Sequence, residues 1–395
     1  MPLFYVFYHY FNLPFRAWEQ RKLRDIANYR NGKAHEQVED EDGKYTIINS
    51  KFISTNGKVQ RYTNEQVEPI FDGEIAMVLS DLPNGKALAK LFLVKEDGKY
   101  TLNQRIAGIT PNENIDPIFL NFRMNRNNYF LKFDSGVTQT NLSKSQVENF
   151  IALYPTFDEQ YKIGLFFTQL DDTIALHQRK LDTLKLMKKG LLQQMFPKRG
   201  ENIPKIRFDD FDDIWEQRIL GEFLKESKIK GSNGSLAKKL TVKLWRKGVV
   251  PKEEIYTGSS ATQYYIRKTG QFIYGKLDFL NQAFGIIPLE LDGYESTLDS
   301  PAFDIEESIN ETFLLEYVSL ARFYKYQGNI ANGSRRAKRI HTDTFFEMPI
   351  PLPNSNEQQK IGTFSRQIDD LIALQQNKLE KLSSLKRFYL KNMFI

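Results

Sequence analysis

Two stretches of the chain carry apolar residues every three or four positions with no internal proline. In Asp158–Phe196 they are Ile163, Phe167, Leu170, Ile174, Leu181, Leu184, Leu191 and Met195. In Asn356–Phe394 they are Ile361, Ile368, Ile372, Leu379, Leu382, Tyr389 and Met393. This 4-3 spacing draws one apolar seam along an α-helix and predicts a coiled coil. Each helix would be roughly 55–60 Å long at about 1.5 Å per residue. Asp158 and Asn356 are the expected N-caps, because a short side-chain oxygen accepts an orphan N–H of the first turn. Pro155 and Pro353 stand just outside. Each helix is expected to begin and end near its own head, with two-fold pairing making the two antiparallel. One polar residue breaks each seam: His177 and Gln375, 198 positions apart and central in their helices. The expectation is a polar pair that fixes register; the alternative is a pair of side chains reaching solvent at the seam's edge.

The segments between the helices read differently. Tyr/Phe/Ile/Val-rich runs such as Lys44–Ile53, Glu74–Leu79, Lys86–Val94 and Gln271–Gly275 alternate with Gly and Asn turns. Helical patterns occur at Asp116–Asn127 and Glu306–Tyr326. These imply α/β or α+β heads with irregular sheets, whose strand order does not follow from the pattern.

The chain is also written twice. WEQRKL at Trp18–Leu23 recurs as WEQRIL at Trp215–Leu220, and EQYKIG at Glu159–Gly164 as EQQKIG at Glu357–Gly362. Tyr154–Phe196 matches Leu352–Phe394 at 21 of 43 positions without a gap. Fainter echoes join Thr101–Ile109 to Thr297–Ile305, and Phe71–Met77 to Lys268–Tyr274. A repeat of this strength implies pseudo-two-fold symmetry in one polypeptide, with two related but different heads.

Composition narrows the function. The 395 residues contain no Cys, which excludes disulfides, thiolate metal sites and Cys nucleophiles and fits a reducing, cytoplasmic setting. Met1–Phe15 is too short and too interrupted to span a bilayer, and it lacks the basic lead of a signal peptide. The net charge is +6, and its distribution is uneven. Lys225–Lys276 holds twelve Lys/Arg against three Glu, whereas Glu290–Glu316 holds nine acids and no base. One face for a polyanion is one reading; two solvated surfaces that neutralise each other is the other.

Basic residues of the heads sit among small polar ones, the mixture that reaches phosphates and base edges. In the first head the candidates for DNA contact are Arg30, Lys33, Asn84, Lys86, Thr138 and Gln139. In the second they are Lys228, Lys230, Lys238, Lys239, Lys243, Arg246, Lys247, Arg335, Arg336, Lys338 and Arg339. Nothing in the sequence supports an active site. There is no Walker A pattern and no Asp/Asn-Pro-Pro-aromatic motif of base methylation. The four His have no metal-ligand spacing. The doubled acids Asp171–Asp172 and Asp369–Asp370 diverge by about 100° on a helix, and are expected to be solvated or to meet a partner.

The two WEQR openings, the Pro-bounded Asp158-Glu159-Gln160 and Asn356-Glu357-Gln358 helix starts with Lys-Ile following, and the terminal QMF and NMF resemble the specificity subunit of type I restriction-modification systems. The resemblance covers Trp18–Phe394. It implies an α+β chain of two target recognition domains, 1–153 and 201–351, joined by two conserved antiparallel coiled-coil helices, 154–200 and 352–395. It implies that each domain reads one half of a split double-stranded DNA site, and that the chain is non-catalytic and cofactor-free. Two modification subunits with S-adenosylmethionine, and restriction subunits with ATP and Mg, would be its partners. The aromatic lead Met1–Ala17 departs from the family, whereas Ile203–Ile214 resembles the usual lead-in. The competing readings are a self-contained DNA methyltransferase or nuclease, and a coiled-coil scaffold that does not touch DNA.

Overall fold

A computed structural model describes residues 18–35, 39–82, 85–253, 259–329 and 339–394. The chain divides into two compact units, residues 1–178 with 378–395, and residues 179–377. Each unit therefore contains one head, the start of that head's long helix and the end of the other long helix. The long helices span Phe157–Met195 and Ser355–Asn392. They begin slightly earlier than expected. The Glu159 and Gln160 amides donate to the Thr156 carbonyl, and the Glu357 amide donates to Asn354 Oδ1 at 3.0 Å. Asp158 and Asn356 thus lie inside the first turn rather than capping it.

In the first unit, Ala27–Asn31, Ile106–Pro111, Ile75–Val78 and Leu91–Leu93 form an antiparallel sheet in that spatial order. In the second, Leu224–Ser227, Ala302–Ile305, Phe272–Tyr274 and Phe284–Ile286 do the same. The two faint sequence echoes supply the second and third strands of each sheet. The heads diverge beside this shared sheet. The first adds a four-stranded sheet built on Tyr45–Ile48 and Tyr100–Leu102, and the second a three-stranded one built on Lys230–Asn233 and Gln263–Ile266.

The repeated motifs close each unit in the same way. Glu19–Lys22 pairs antiparallel with Ile151–Tyr154, and Glu216–Ile219 with Pro349–Leu352. The Trp18 indole N–H donates to Glu159 and that of Trp215 to Glu357, at 3.3 and 3.1 Å. The following glutamine is buried and makes two further links. Gln160 accepts from the Asp116 amide and donates to the Pro155 carbonyl. Gln358 accepts from the Asn310 amide and donates to the Pro353 carbonyl. Asp116 and Asn310 are the N-caps of the head helices Pro117–Met124 and Glu311–Val318. A Cβ at Gly164 or Gly362 would meet those capping side chains at 2.9 or 2.6 Å. A larger residue at either position would have to displace the capping side chain.

The helix ends overturn one expectation. Each long helix begins on its own head but ends in the other unit. Phe394 stacks on Phe167 and meets Phe119 edge-on, while Arg123 donates to the Phe394 carbonyl at 2.8 Å. Phe196 packs on Trp215 and Phe313, while Arg322 donates to the Gln193 and Phe196 carbonyls, both at 2.8 Å. An arginine at a helix C-terminus satisfies orphan carbonyls and meets the negative end of the dipole. Within each unit the two helix segments run antiparallel, as Phe166 against Tyr389 and Lys188 against Asp369 show. The seam residues Leu170, Leu181, Ile368 and Leu379 are buried, and Ile174 and Ile372 half-buried. Gln375 is buried and His177 half-buried.

Removing one of the buried glutamines orphans an amide and a carbonyl, which costs about 1–3 kcal/mol per unsatisfied group. Gln160→Ala and Gln358→Ala should each lower the unfolding midpoint. Site-resolved hydrogen exchange should place the loss at Asn112–Asp116 in the first case and Ser308–Asn310 in the second.

Candidate nucleic-acid interface

Loop segments far apart in sequence converge at one end of the first central sheet. Ser80–Asp81, which follows the third strand, pairs with Thr140–Asn141. The Gln139 amide donates to Ser80 Oγ at 2.7 Å. The Asp81 carboxylate accepts from the Leu82, Ala87 and Leu88 amides and so cinches the intervening loop. Lys86, Thr138 and Gln139 are thereby gathered and exposed, beside Leu82 and Val137, which are 69% and 80% exposed. Asn84 lies outside the described residues. Lys33 follows the first strand, bridges to Asn103 and pairs with Glu68 at 3.1 Å.

Arg30 is placed differently. Its guanidinium donates to both Glu74 oxygens at 2.6 Å, to Glu68, to Thr110 Oγ1 and to the Pro69 carbonyl. All five N–H groups are engaged inside the head, and the hydrogen bond to Glu74 leads the causes that raise its pKa. Arg30 is a buttress of the sheet rather than a free cation.

The corresponding end of the second sheet is more basic. There the Ile340 amide donates to the Lys276 carbonyl, as Leu142 does to Leu79 in the first head. Lys228 pairs with Glu226 at 2.8 Å and Arg339 with Asp299 at 3.7 Å. Burial lowers the Lys276 pKa; Glu226 and Asp299 oppose this, while Lys228 and Arg339 push it further down. Lys276 was not singled out from sequence, since only the strand order shows that it meets Lys228 and Arg339. Arg335, Arg336 and Lys338 lie outside the described residues. Lys230, Lys238, Lys243 and Lys247 are exposed.

Two other residues depart from the expectation of exposed phosphate contacts. Lys239 is only 6% exposed; its backbone bridges Glu295 and its ammonium lies over the Tyr264 ring at 5.4 Å. Arg246 grips both oxygens of Glu316.

Glu316 is the centre of a buried charge network. It also accepts from Lys188 at 3.0 Å and from Ser365 Oγ, and Lys188 in turn reaches Asp369 at 2.6 Å. Burial alone would raise the Glu316 pKa, but Arg246, Lys188 and Ser365 outweigh it and hold it at about 2. The first unit answers with Lys386, which donates to both oxygens of Asp171 and lies over the Phe122 ring at 5.3 Å. Lys188 and Lys386 are repeat partners, as are Asp369 and Asp171. The first member of each doubled acid thus makes an interhelical ion pair and stays partly solvated, the Asp171 and Asp369 side chains being 41% and 50% exposed; Asp172 and Asp370 are exposed. Among the described residues, no group of three or more His, Asp or Glu is placed to hold a metal ion. No described helix is long and apolar enough to cross a membrane.

Comparison with known proteins adds an independent finding. A family model described as "Type I restriction modification DNA specificity domain" matches residues 16–186 and again 213–384. The MjaVIII type I restriction enzyme specificity subunit of Methanocaldococcus jannaschii is 22% identical, over 94% of this chain and 90% of its own length. The putative MjaX specificity subunit of the same organism is likewise 22% identical. The crystal structure of a type I restriction-modification S subunit from M. genitalium superposes with a TM-score of 0.60 at 13% identity, covering 98% of both chains.

A buried carboxylate with a depressed pKa contributes stability above its unfolded pKa and loses it as pH falls through the folded one. For Glu316 that window runs from about 4.5 down to about 2. At about 1.4 kcal/mol per pH unit the contribution is roughly 3 kcal/mol. Glu316→Gln should therefore lower the thermal midpoint at neutral pH. It should also remove part of the acid-induced loss that wild type shows below pH 4.5, as measured by thermal melts across that range.

Proposed function

Since this chain belongs to the type I restriction-modification DNA specificity family, we propose that its two heads read a bipartite double-stranded DNA target with one head per half-site. The chain is the DNA-recognition subunit of such a system and is not itself an enzyme. The observation that carries the bipartite reading is the shared sheet end. The same strand order presents Lys86, Thr138 and Gln139 in one head, and Lys228, Lys276 and Arg339 in the other. One frame with two unlike sets of donors and charges suits two unrelated half-sites.

The partners follow from the repeat. Each unit exposes a leucine at a matched helix position, Leu176 at 59% and Leu374 at 48%. These give two equivalent apolar contacts, which supports docking of two modification subunits. S-adenosylmethionine would reside on those subunits, and ATP and Mg on restriction subunits, with the assembly working in the cytoplasm. His177 and Gln375 would act as polar register residues of the seam, in keeping with the burial of Gln375 and the half-burial of His177.

Single-base methylation mapping in cells that carry this chain with its modification subunits tests the reading. The expected motif is two different specified half-sites separated by an unread gap. A continuous palindrome would sink it.

A further inference from the structure

The second unit holds a feature that base reading at the sheet end does not use. A cleft of about 640 Å³ lies between the end of the first long helix, the turn after Leu240–Val242 and the helix Ala321–Gly328. Trp245 and Arg246, at the tip of that turn, both adopt left-handed backbone conformations, with φ of 58° and 55°. L-residues with side chains rarely adopt this conformation, and it persists only where surrounding contacts enforce it. Here the Trp245 amide donates to the Asn281 carbonyl and the Arg246 amide to the Gln282 carbonyl, at 2.7 and 3.1 Å. Glu316 draws the Arg246 side chain inward. The outcome is a tryptophan that is 54% exposed on the wall of the cleft, whereas Trp215 of the same unit is buried.

The charge of the cleft is unbalanced. Its two carboxylates, Glu316 and Asp369, are taken up by Arg246 and Lys188. Lys185, Lys189 and Lys325 also line it, are exposed, and have no acidic partner among the described residues. Three free ammonium groups around an open indole match a phosphodiester backbone with an adjacent deoxyribose. A protein surface would more naturally meet an apolar cleft with fewer free cations.

We infer that this cleft is a second DNA contact of the second unit, in which Lys185, Lys189 and Lys325 take backbone phosphates and Trp245 packs against the deoxyribose beside them. The inference rests on the DNA-recognition reading and adds a contact outside the sheet-end loops.

The test uses the full chain and a fluorescein-labelled mixed-sequence duplex, titrated at several salt concentrations. In the Lys185→Ala, Lys189→Ala, Lys325→Ala triple variant the salt slope should fall by up to about 2.7, that is 0.9 per phosphate contact, and binding should weaken. In Trp245→Leu the affinity should drop with the slope unchanged, because the indole contact to the sugar carries no charge. The change in tryptophan emission on adding DNA should also disappear in Trp245→Leu. If wild type binds with a steep salt dependence and both variants match it, the cleft is not a DNA contact, while the DNA-recognition reading stands. If wild type shows no salt-dependent binding, that reading falls and the inference with it. If both variants keep wild-type DNA binding but fail to co-purify with the modification subunits, the cleft is a protein-docking surface and the inference is overturned.

Discussion

A helix that ends inside a hydrophobic core leaves its last carbonyls in need of donors, and this constraint organises the whole chain. The first long helix ends in that way, with Phe196 buried, and the second ends against such a core, with Phe394 half-buried. Phe196 and Phe394 are the terminal anchors, and Arg322 and Arg123 supply the donors. Full burial of a phenylalanine, as at Phe196, contributes about 1.5–3 kcal/mol and half-burial less, and the arginine removes the penalty that would otherwise offset it. Because each helix ends in the unit it did not start from, neither unit is complete without residues from both repeats. The interhelical pairs Asp171–Lys386 and Lys188–Asp369 are repeat copies of one another and belong to the same constraint.

The frame can stay constant while the heads change. The residues that lock it are the paired Trp, Glu, Gln and Gly of each repeat, and all of them face the helix start or the head helix. The residues that differ lie on the side sheets and in the loops at the sheet ends. Even within the frame the two units are not equal. Lys386 meets an aromatic ring where Lys188 meets the buried Glu316. The second unit therefore carries an acid-sensitive charge network whose place in the first is taken by Phe122.

Much of the fold was legible in the sequence because the repeat wrote it twice. The helices were found to within two residues at each end, and the seam residues that were named are buried or half-buried. The helix starts were misplaced because a backbone carbonyl at Thr156 and the side chain of Asn354 do the work assigned to Asp158 and Asn356. Strand order stayed hidden because the pairing joins segments such as Ala27–Asn31 and Ile106–Pro111, which share no local signal. That gap explains the mixed record at the candidate interface. Lys86, Thr138 and Gln139 are brought together as exposed groups, with Gln139 anchored on Ser80. Arg30 and Lys239 read identically as basic residues among small polar ones, yet an inward-facing carboxylate at Glu74 and a bridge at Glu295 hold them within the head. Only the tertiary pairing distinguishes a basic residue that faces solvent from one that fastens a strand.

The exchange of helix ends is tested most directly by removing one of them. A chain truncated after Asn377 lacks the segment that completes the first unit, although the deletion adjoins the second in sequence. Site-resolved hydrogen exchange should show protection lost at Pro117–Met124 and over Ile163–Leu170, while Phe272–Tyr274 and Glu311–Val318 stay protected. Loss confined to the second unit, or undiminished protection in the first, would contradict the account.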